Sequence, residues 1–240
     1  MFTIKLAGIP IGIDNHYTFI DKQCTAYQCT DKPLFTVSVS EEEIERELQL
    51  TDPSLRSDRG YGESVCTYRK ICLQLPQYDT FLFHCAAIEY GGKAYLFSAP
   101  SGTGKSTHIK LWRSYLKERV SIINGDKPLI KKEQDGSFTV YSSPWAGKEG
   151  WQRNCAYPLA GICFLGQAPE NNLTSLSQSE SARRALKQVL YPRDVLLLQK
   201  TLSLVDGVLK CTPVFELHCT ISREAAALSF AALTGEPVPF

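Results

Sequence analysis

Apolar positions along the chain recur with period two in some stretches and with helical spacing in others, and the two patterns mark out its elements. Residues 2–13 alternate loosely and are rich in Ile, which predicts a strand or hairpin. Residues 15–28 read as a helix, and Thr36–Val39 as a short strand. Ser40 followed by Glu43 is a capping-box pattern at a helix start. Residues 51–62 are polar, lack a period and predict a loop. Val65, Tyr68, Ile71, Cys72 and Leu75 then predict a helix over 63–76. The apolar runs Phe81–Tyr90 and Lys93–Ser98 are joined by Gly91-Gly92, which reads as a hairpin. A helix follows over about 106–117, then a buried strand at Val120–Ile123 that ends in Asn124-Gly125-Asp126. Gln134-Asp135-Gly136 closes a hairpin between 127–132 and 137–142. Ala160–Leu165 and Val214–His218 read as strands, 180–191 and about 193–204 as helices broken at Pro192, and Ser222 caps a last helix ending at Gly235.

The second strand of the Gly-Gly hairpin leads straight into Ala99-Pro100-Ser101-Gly102-Thr103-Gly104-Lys105-Ser106. This is the Walker A pattern, with Ala in place of its first Gly, and it sits between a strand and a helix as the mechanism requires. Small residues let backbone N–H groups face a polyphosphate. The positive end of the following helix adds to the anion site. Lys105 supplies a point charge for the β and γ phosphates, Ser106 a hydroxyl for Mg²⁺, and Thr107 a further hydroxyl. Ser101, Gly102, Thr103, Gly104, Lys105, Ser106 and Thr107 are therefore the expected ATP-binding residues. Asp126 ends an apolar strand expected beside this loop, where a Mg²⁺-linked carboxylate must stand. His84 lies on the strand before the loop and could relay a proton beside Asp126. Between Ser143 and Trp151, two glycines, Lys148 and two tryptophans suggest a clamp on substrate or phosphate, with Trp145, Gly147 and Lys148 as its candidates. Lys127 reads as a solvated neighbour, and His108 as a residue on a helix surface. Of Arg183 and Arg184, adjacent on a helix, at most one can face a site. His16 and His218 show no partner.

A strand that feeds the loop from an antiparallel neighbour predicts a mixed sheet. With His84–Lys105 and Ile123–Asp126, this arrangement resembles the catalytic domain of bacterial HPr kinase/phosphorylase over about residues 80–235. That family is related to ATP-dependent phosphoenolpyruvate carboxykinase, and the resemblance extends to small HPr-kinase-like proteins that phosphorylate a precursor peptide. It implies an α/β fold, a P-loop in a mixed sheet with flanking helices, and transfer of phosphate from ATP, with Mg²⁺, to a serine of a peptide or small protein. It also implies catalytic roles for His84, Lys105 and Asp126, and Mg²⁺ binding by Ser106 and Asp126. The related peptide kinases have a similar Pro-Trp segment, and HPr kinase/phosphorylase is oligomeric. Where that family has two aspartates, this chain has Gly125-Asp126, which puts phosphorolysis in doubt but leaves the forward transfer. Residues 1–79 do not resemble the family's regulatory domain. They are expected as an α+β segment packed on an ATP-binding domain of residues 80–240, with a surface open to a partner or substrate.

Composition narrows the field without changing it. The 240 residues carry 26 Lys+Arg against 25 Asp+Glu, a net charge of +1, so neither nucleic acid nor an anionic membrane is expected as partner. No apolar run approaches the ~20 residues that span a bilayer, and the first residues lack a signal-peptide pattern. A cytoplasmic protein is expected. Nine cysteines, none in a Cys-x-x-Cys pair and several in apolar runs, read as reduced core residues. Three other functions stay open: a nucleotide-dependent binding module without turnover, a small-molecule kinase, and a phosphoenolpyruvate-carboxykinase-like enzyme.

Overall fold

The tip of the first hairpin, Ala7-Gly8, has positive φ at both residues, 50° and 79°. That twist lets β1 (Phe2–Leu6) pair antiparallel with β2 (Ile9–Asp14). The computed structural model describes residues 1–51, 58–100 and 102–239. Helix α1 (Thr18–Gln23) is shorter than the expected 15–28, because a single 3-10 turn at Thr25–Tyr27 follows it. Strand β3 (Phe35–Ser38) joins β2 in parallel and completes a three-stranded sheet. Ser40 and Glu43 form the expected capping box of α2 (Glu41–Leu50). Helix α3 (Arg59–Gln74) starts inside the segment read as loop, capped by Asp58. Its two glycines are contact points, since a Cβ on Gly60 would lie 2.6 Å from Phe19 Cβ and one on Gly62 3.0 Å from Leu48. Close helix packing had the composition of a loop. The rest of that expected loop, residues 52–57, lies outside the described residues.

The second sheet has nine strands among the described residues. The apolar run 81–90 is two strands, β4 (Thr80–Leu82) and β5 (Ala86–Tyr90), not one. Strand β5 pairs antiparallel with β6 (Lys93–Ser98), as the Gly-Gly signal predicts. Helix α4 (Lys105–Leu116) and β7 (Val120–Asn124) follow, with β7 antiparallel to β5. The expected hairpin is β8 (Leu129–Lys132) with β9 (Phe138–Tyr141), and β8 also takes β4 as a partner. Strand β10 (Ala156–Gln167) is twice as long as read from sequence because it serves two neighbourhoods. Its first residues pair antiparallel with β9, and after an irregularity between Leu159 and Gly161 it runs parallel to β6. Strand β11 (Asn172–Ser175), a polar edge strand without an apolar period, escaped the sequence reading. Helices α5 (Gln178–Ala185) and α6 (Val195–Cys211) precede β12 (Val214–Cys219), which lies parallel to β10 and antiparallel to β11. Helix α7 (Arg223–Thr234) ends at Gly235 in the left-handed region, as expected.

The result is a mixed α/β fold, a curled sheet with helices on both faces. One core packs Leu204, Val205 and Val208 of α6 on Leu96, Ile162 and Phe164 of the sheet. The other packs Trp112 of α4 and Phe230 of α7 on Ile88, Phe97 and Cys163. A third core joins Ile4, Ile11, Tyr68 and Ile71 to Leu129 and Trp145, so the first sheet seats directly on the second. No helix among the described residues is long and apolar enough to cross a membrane.

His108 is a correction. It is 3 % exposed and its Nε2 lies 2.9 Å from Ser229 Oγ beneath α7, rather than standing on the surface of α4. Burial holds its pKa down at about 4. In the unfolded chain a histidine titrates near 6.5. The unfolded state therefore binds the extra proton first, and stability falls as pH drops from about 6.5 to about 4, by about 3 kcal/mol. Urea titrations at pH 7 and pH 4.5 test this. The difference between the two should shrink in His108→Gln, and an equal difference in both proteins would exclude His108 as its source.

Candidate active site

Strand β6 ends at Ser98, and the segment from Ala99 turns into α4 on two glycines. Gly102 and Gly104 have φ of 79° and 110°, and neither has an atom within 4 Å of where a Cβ would be. Glycine is needed there for its backbone conformation, not for space. Ser101 lies outside the described residues. Thr103 N–H donates to Pro100 O (3.3 Å), and its carbonyl accepts from Gln167 Nε2 (3.4 Å). Helices α2, α3, α5, α6 and α7 each begin with a side chain accepting from a first-turn amide: Ser40, Asp58, Ser177, Asp194 and Ser222. Helix α4 begins at Gly104 with no such cap. Helix α1, preceded by Tyr17, likewise lacks a side-chain cap. Lys105 is buried, and its Nζ donates to Ala99 O at 2.9 Å, folding back over the loop. Burial pushes the pKa of this amine below the usual lysine value, and Asp126 and Cys85 act in the opposite direction. Ser106 and Thr107 are half-buried at the mouth of the helix.

His84 stands at the break between β4 and β5. Each backbone N–H there leaves its own strand: Phe83 donates to Pro128 O, His84 to Gln188 O and Cys85 to Asp126 O. The crossing brings the imidazole to Asp126, with Nε2 3.1 Å from Oδ1. An ionised carboxylate only accepts, so Nε2 is the donor. Nδ1 lies 3.2 Å from the side-chain amide oxygen of Gln188. Asp126 sits on a turn made by Asn124, whose Oδ1 accepts from the amides of Asp126 (2.9 Å) and Lys127 (2.7 Å). Asn124 Nδ2 in turn donates to Ser143 O (2.9 Å). Burial opposes ionisation of Asp126. The hydrogen bond from His84 and the charges of His84, Lys127 and Lys105 outweigh it and hold the carboxyl below its ordinary pKa. Lys127 is not merely solvated, since its Nζ lies 3.8 Å from Asp126 Oδ2.

The segment 143–151 divides. Trp145 is 4 % exposed and lies flat on Tyr68, with ring centroids 4.1 Å apart. Its Nε1 donates to Ser64 Oγ (2.8 Å), so both its face and its polar tip are taken up inside the protein. Gly147 is at Asp126: a Cβ there would lie 2.9 Å from Asp126 Cβ and 3.3 Å from Oδ2. Lys148 is exposed. Gly125 N–H donates to Trp151 O (2.8 Å), and a Cβ on Gly125 would meet Ala146 O at 3.1 Å. A side chain at position 125 would therefore press on this loop, which would have to give by a few tenths of an ångström.

The structure thus brings together Lys105, His84, Asp126 and Gly147 at the start of α4, with Trp145 set back in the core. Three residues of this cluster were not read from sequence. Asn124 carried a signal, an Asx turn in Asn-Gly-Asp. Gln188 and Tyr68 carried none, since only the tertiary fold carries them there. Of the arginine pair, Arg184 turns inward, to the buried Glu216, and Arg183 is exposed. His218 shares Glu216 at 3.3 Å, and His16 Nε2 lies 2.8 Å from Val39 O, so both have partners after all.

The Hpr(Ser) kinase/phosphatase from Coxiella burnetii is similar over 51% of this chain and 87% of that one, at 13% identity and a TM-score of 0.29. A superposition that loose transfers no residue and no role. No match was found among the curated proteins. The family profile described as "SynChlorMet cassette protein ScmC" matches residues 64–229, from the middle of α3 to α7. With well over half its length matched, the chain belongs to the ScmC family.

Proposed function

We propose that the chain is an ATP- and Mg²⁺-dependent kinase whose acceptor is a hydroxyl, a serine of a peptide or small protein. The observation that carries this reading is the buried Lys105 amine at a start of α4 led by two positive-φ glycines, within electrostatic range of Asp126. A helix start, positive-φ glycines and a lysine suit a polyphosphate. Ser106 and Asp126 suit Mg²⁺: the bond from His84 is to Oδ1, while Oδ2 has only the looser partner Lys127 Nζ, at 3.8 Å. Bound Mg²⁺ supplies neutralisation of the phosphate oxygens. Lys105 and the amides of residues 102–107 hold the β and γ phosphates in line with the acceptor. The hydroxyl oxygen forms its bond to the γ-phosphorus as the bond to the bridging oxygen breaks and ADP leaves. The released proton goes to the His84–Asp126 pair rather than to the carboxylate oxygen that would hold Mg²⁺. Such a transfer depends mainly on positioning and electrostatics, which these residues provide.

The packed surroundings of Gly125 favour a second reading, a module that binds Mg·ATP without turnover. One experiment separates the two. The protein is incubated with Mg·ATP and serine-containing peptides, ADP is measured, and phosphoserine is read by mass spectrometry. Phosphoserine that disappears in Lys105→Ala supports the kinase. Nucleotide binding with no ADP from peptides, free serine or other hydroxyl acceptors would sink it and leave the module.

A further inference from the structure

The turn that carries Asp126 is held from two sides. From inside, Asn124 Oδ1 takes the amides of Asp126 and Lys127. From outside, two hydroxyls donate to a single carbonyl, Lys127 O: Ser143 Oγ at 2.7 Å and Tyr68 OH at 2.7 Å. Ser143 belongs to the loop that presses Gly147 on Asp126. Tyr68 belongs to α3, within residues 1–79, and burial raises its pKa so that the phenol stays a donor.

The same loop is fastened to residues 1–79 along its length. Gln23 Nε2 donates to Pro144 O (3.1 Å), and Asn154 Nδ2 donates to Ala26 O (2.8 Å). The Tyr27 hydroxyl lies 2.9 Å from Ser142 Oγ and 2.8 Å from Gln152 Oε1. Trp145 is stacked on Tyr68 and bonded to Ser64. Tyr68 thus meets the Asp126 turn twice, through its hydroxyl and through the ring that seats the loop.

We propose that Tyr68 is a positioning residue for Asp126, which makes residues 1–79 part of the site's machinery rather than an attachment to it. This rests on the kinase reading only for its effect on rate. Tyr68 touches no reacting atom. It fixes the carbonyl after Asp126, and so the direction in which the carboxylate points. A net hydrogen bond of this kind contributes about 0.5–1.5 kcal/mol, which corresponds to about a 2- to 10-fold change in a local opening equilibrium.

The test compares wild type with Tyr68→Phe, which keeps the stack on Trp145 and removes only the donor, and with Ser143→Ala, which removes the other donor to the same carbonyl. Amide hydrogen exchange reads the turn directly, whether or not phosphate is transferred. Exchange at Asp126 and Lys127 should speed up by about 2- to 10-fold in both variants, with β1–β3 unchanged. Under the kinase reading, kcat should fall by a similar factor or more in Tyr68→Phe, with KM for ATP unchanged. Wild-type exchange at Asp126 and Lys127 would overturn the proposal. So would a uniform rise across all three cores, which would mark Tyr68 as a stabilising core residue only. A wild-type protein without transfer would overturn the kinase reading and leave the exchange result standing on its own.

Discussion

Under the kinase reading, Asp126→Asn should transfer phosphate at about a thousandth of the wild-type rate while folding normally. The substitution keeps the size of the side chain. It also keeps the backbone N–H that Asn124 Oδ1 accepts, so the turn survives. What disappears is the negative charge facing Lys105 and Lys127, together with the oxygen left over from the bond to His84. An amide is a poor ligand for Mg²⁺ and cannot take the proton of the acceptor hydroxyl. Each role alone justifies a large loss, because loss of a positioned general base costs about 10²–10⁴-fold. Steady-state rates with a competent serine peptide, together with a Mg·ATP binding titration, provide the measurement. A variant that transfers at close to the wild-type rate would remove Asp126 from the mechanism.

Gly147→Ala should be nearly as damaging, although the residue contributes no functional group. Its φ of 73° is in the left-handed region, and its Cα faces the Asp126 side chain so closely that a Cβ would stand 2.9 Å from Asp126 Cβ. Two costs follow. Backbone strain takes about 1–2 kcal/mol from stability. Separately, either the loop or the carboxylate must move, and a displacement of about 1 Å at a reacting group can cost about 10²-fold in rate. Gly150 provides the control. It lies in the same loop with φ of 64°, but its Cβ position has no atom within 4 Å. Gly150→Ala should lose comparable stability and keep its activity. Urea midpoints and transfer rates of the two variants, set side by side, separate strain from contact. Equal activity in both would mean that Gly147 does not govern Asp126.

Much of the second sheet was legible because its signals are local. Gly91-Gly92 and Asp135-Gly136 sit between runs whose pairing they dictate, and both hairpins formed. Ser40, Ser222 and Gly235 mark helix ends through their own chemistry. The losses have one cause, the overriding of local pattern by distant partners. An apolar run splits at His84 because its amides are taken by Pro128, Gln188 and Asp126. Gly60 and Gly62 looked like loop because the helices they touch could not be seen. His108 looked exposed because nothing in the sequence placed Ser229 over it. At the candidate site, residue types at fixed spacing singled out Lys105 and Asp126, and the family resemblance His84. The supports Gln188 and Tyr68 have ordinary neighbours and gain meaning only from the fold.

The fastening of residues 1–79 to the 142–155 loop also sets an order in time. Ser64 and Trp145 are 81 positions apart, and Ala26 and Asn154 are 128 apart. At about 5–20 residues per second of synthesis, the earlier member of such a pair waits on the order of ten seconds for the later one. In that interval β1, β2 and β3 can pair among themselves, but Tyr68 lacks the Trp145 ring and the Tyr27 hydroxyl lacks Ser142 and Gln152. The Asp126 turn, made in between, cannot take its final shape until the loop has emerged and closed on both. Contacts of such long range form late and slow the overall reaction, so the oldest part of the nascent chain is among the last to be locked into place.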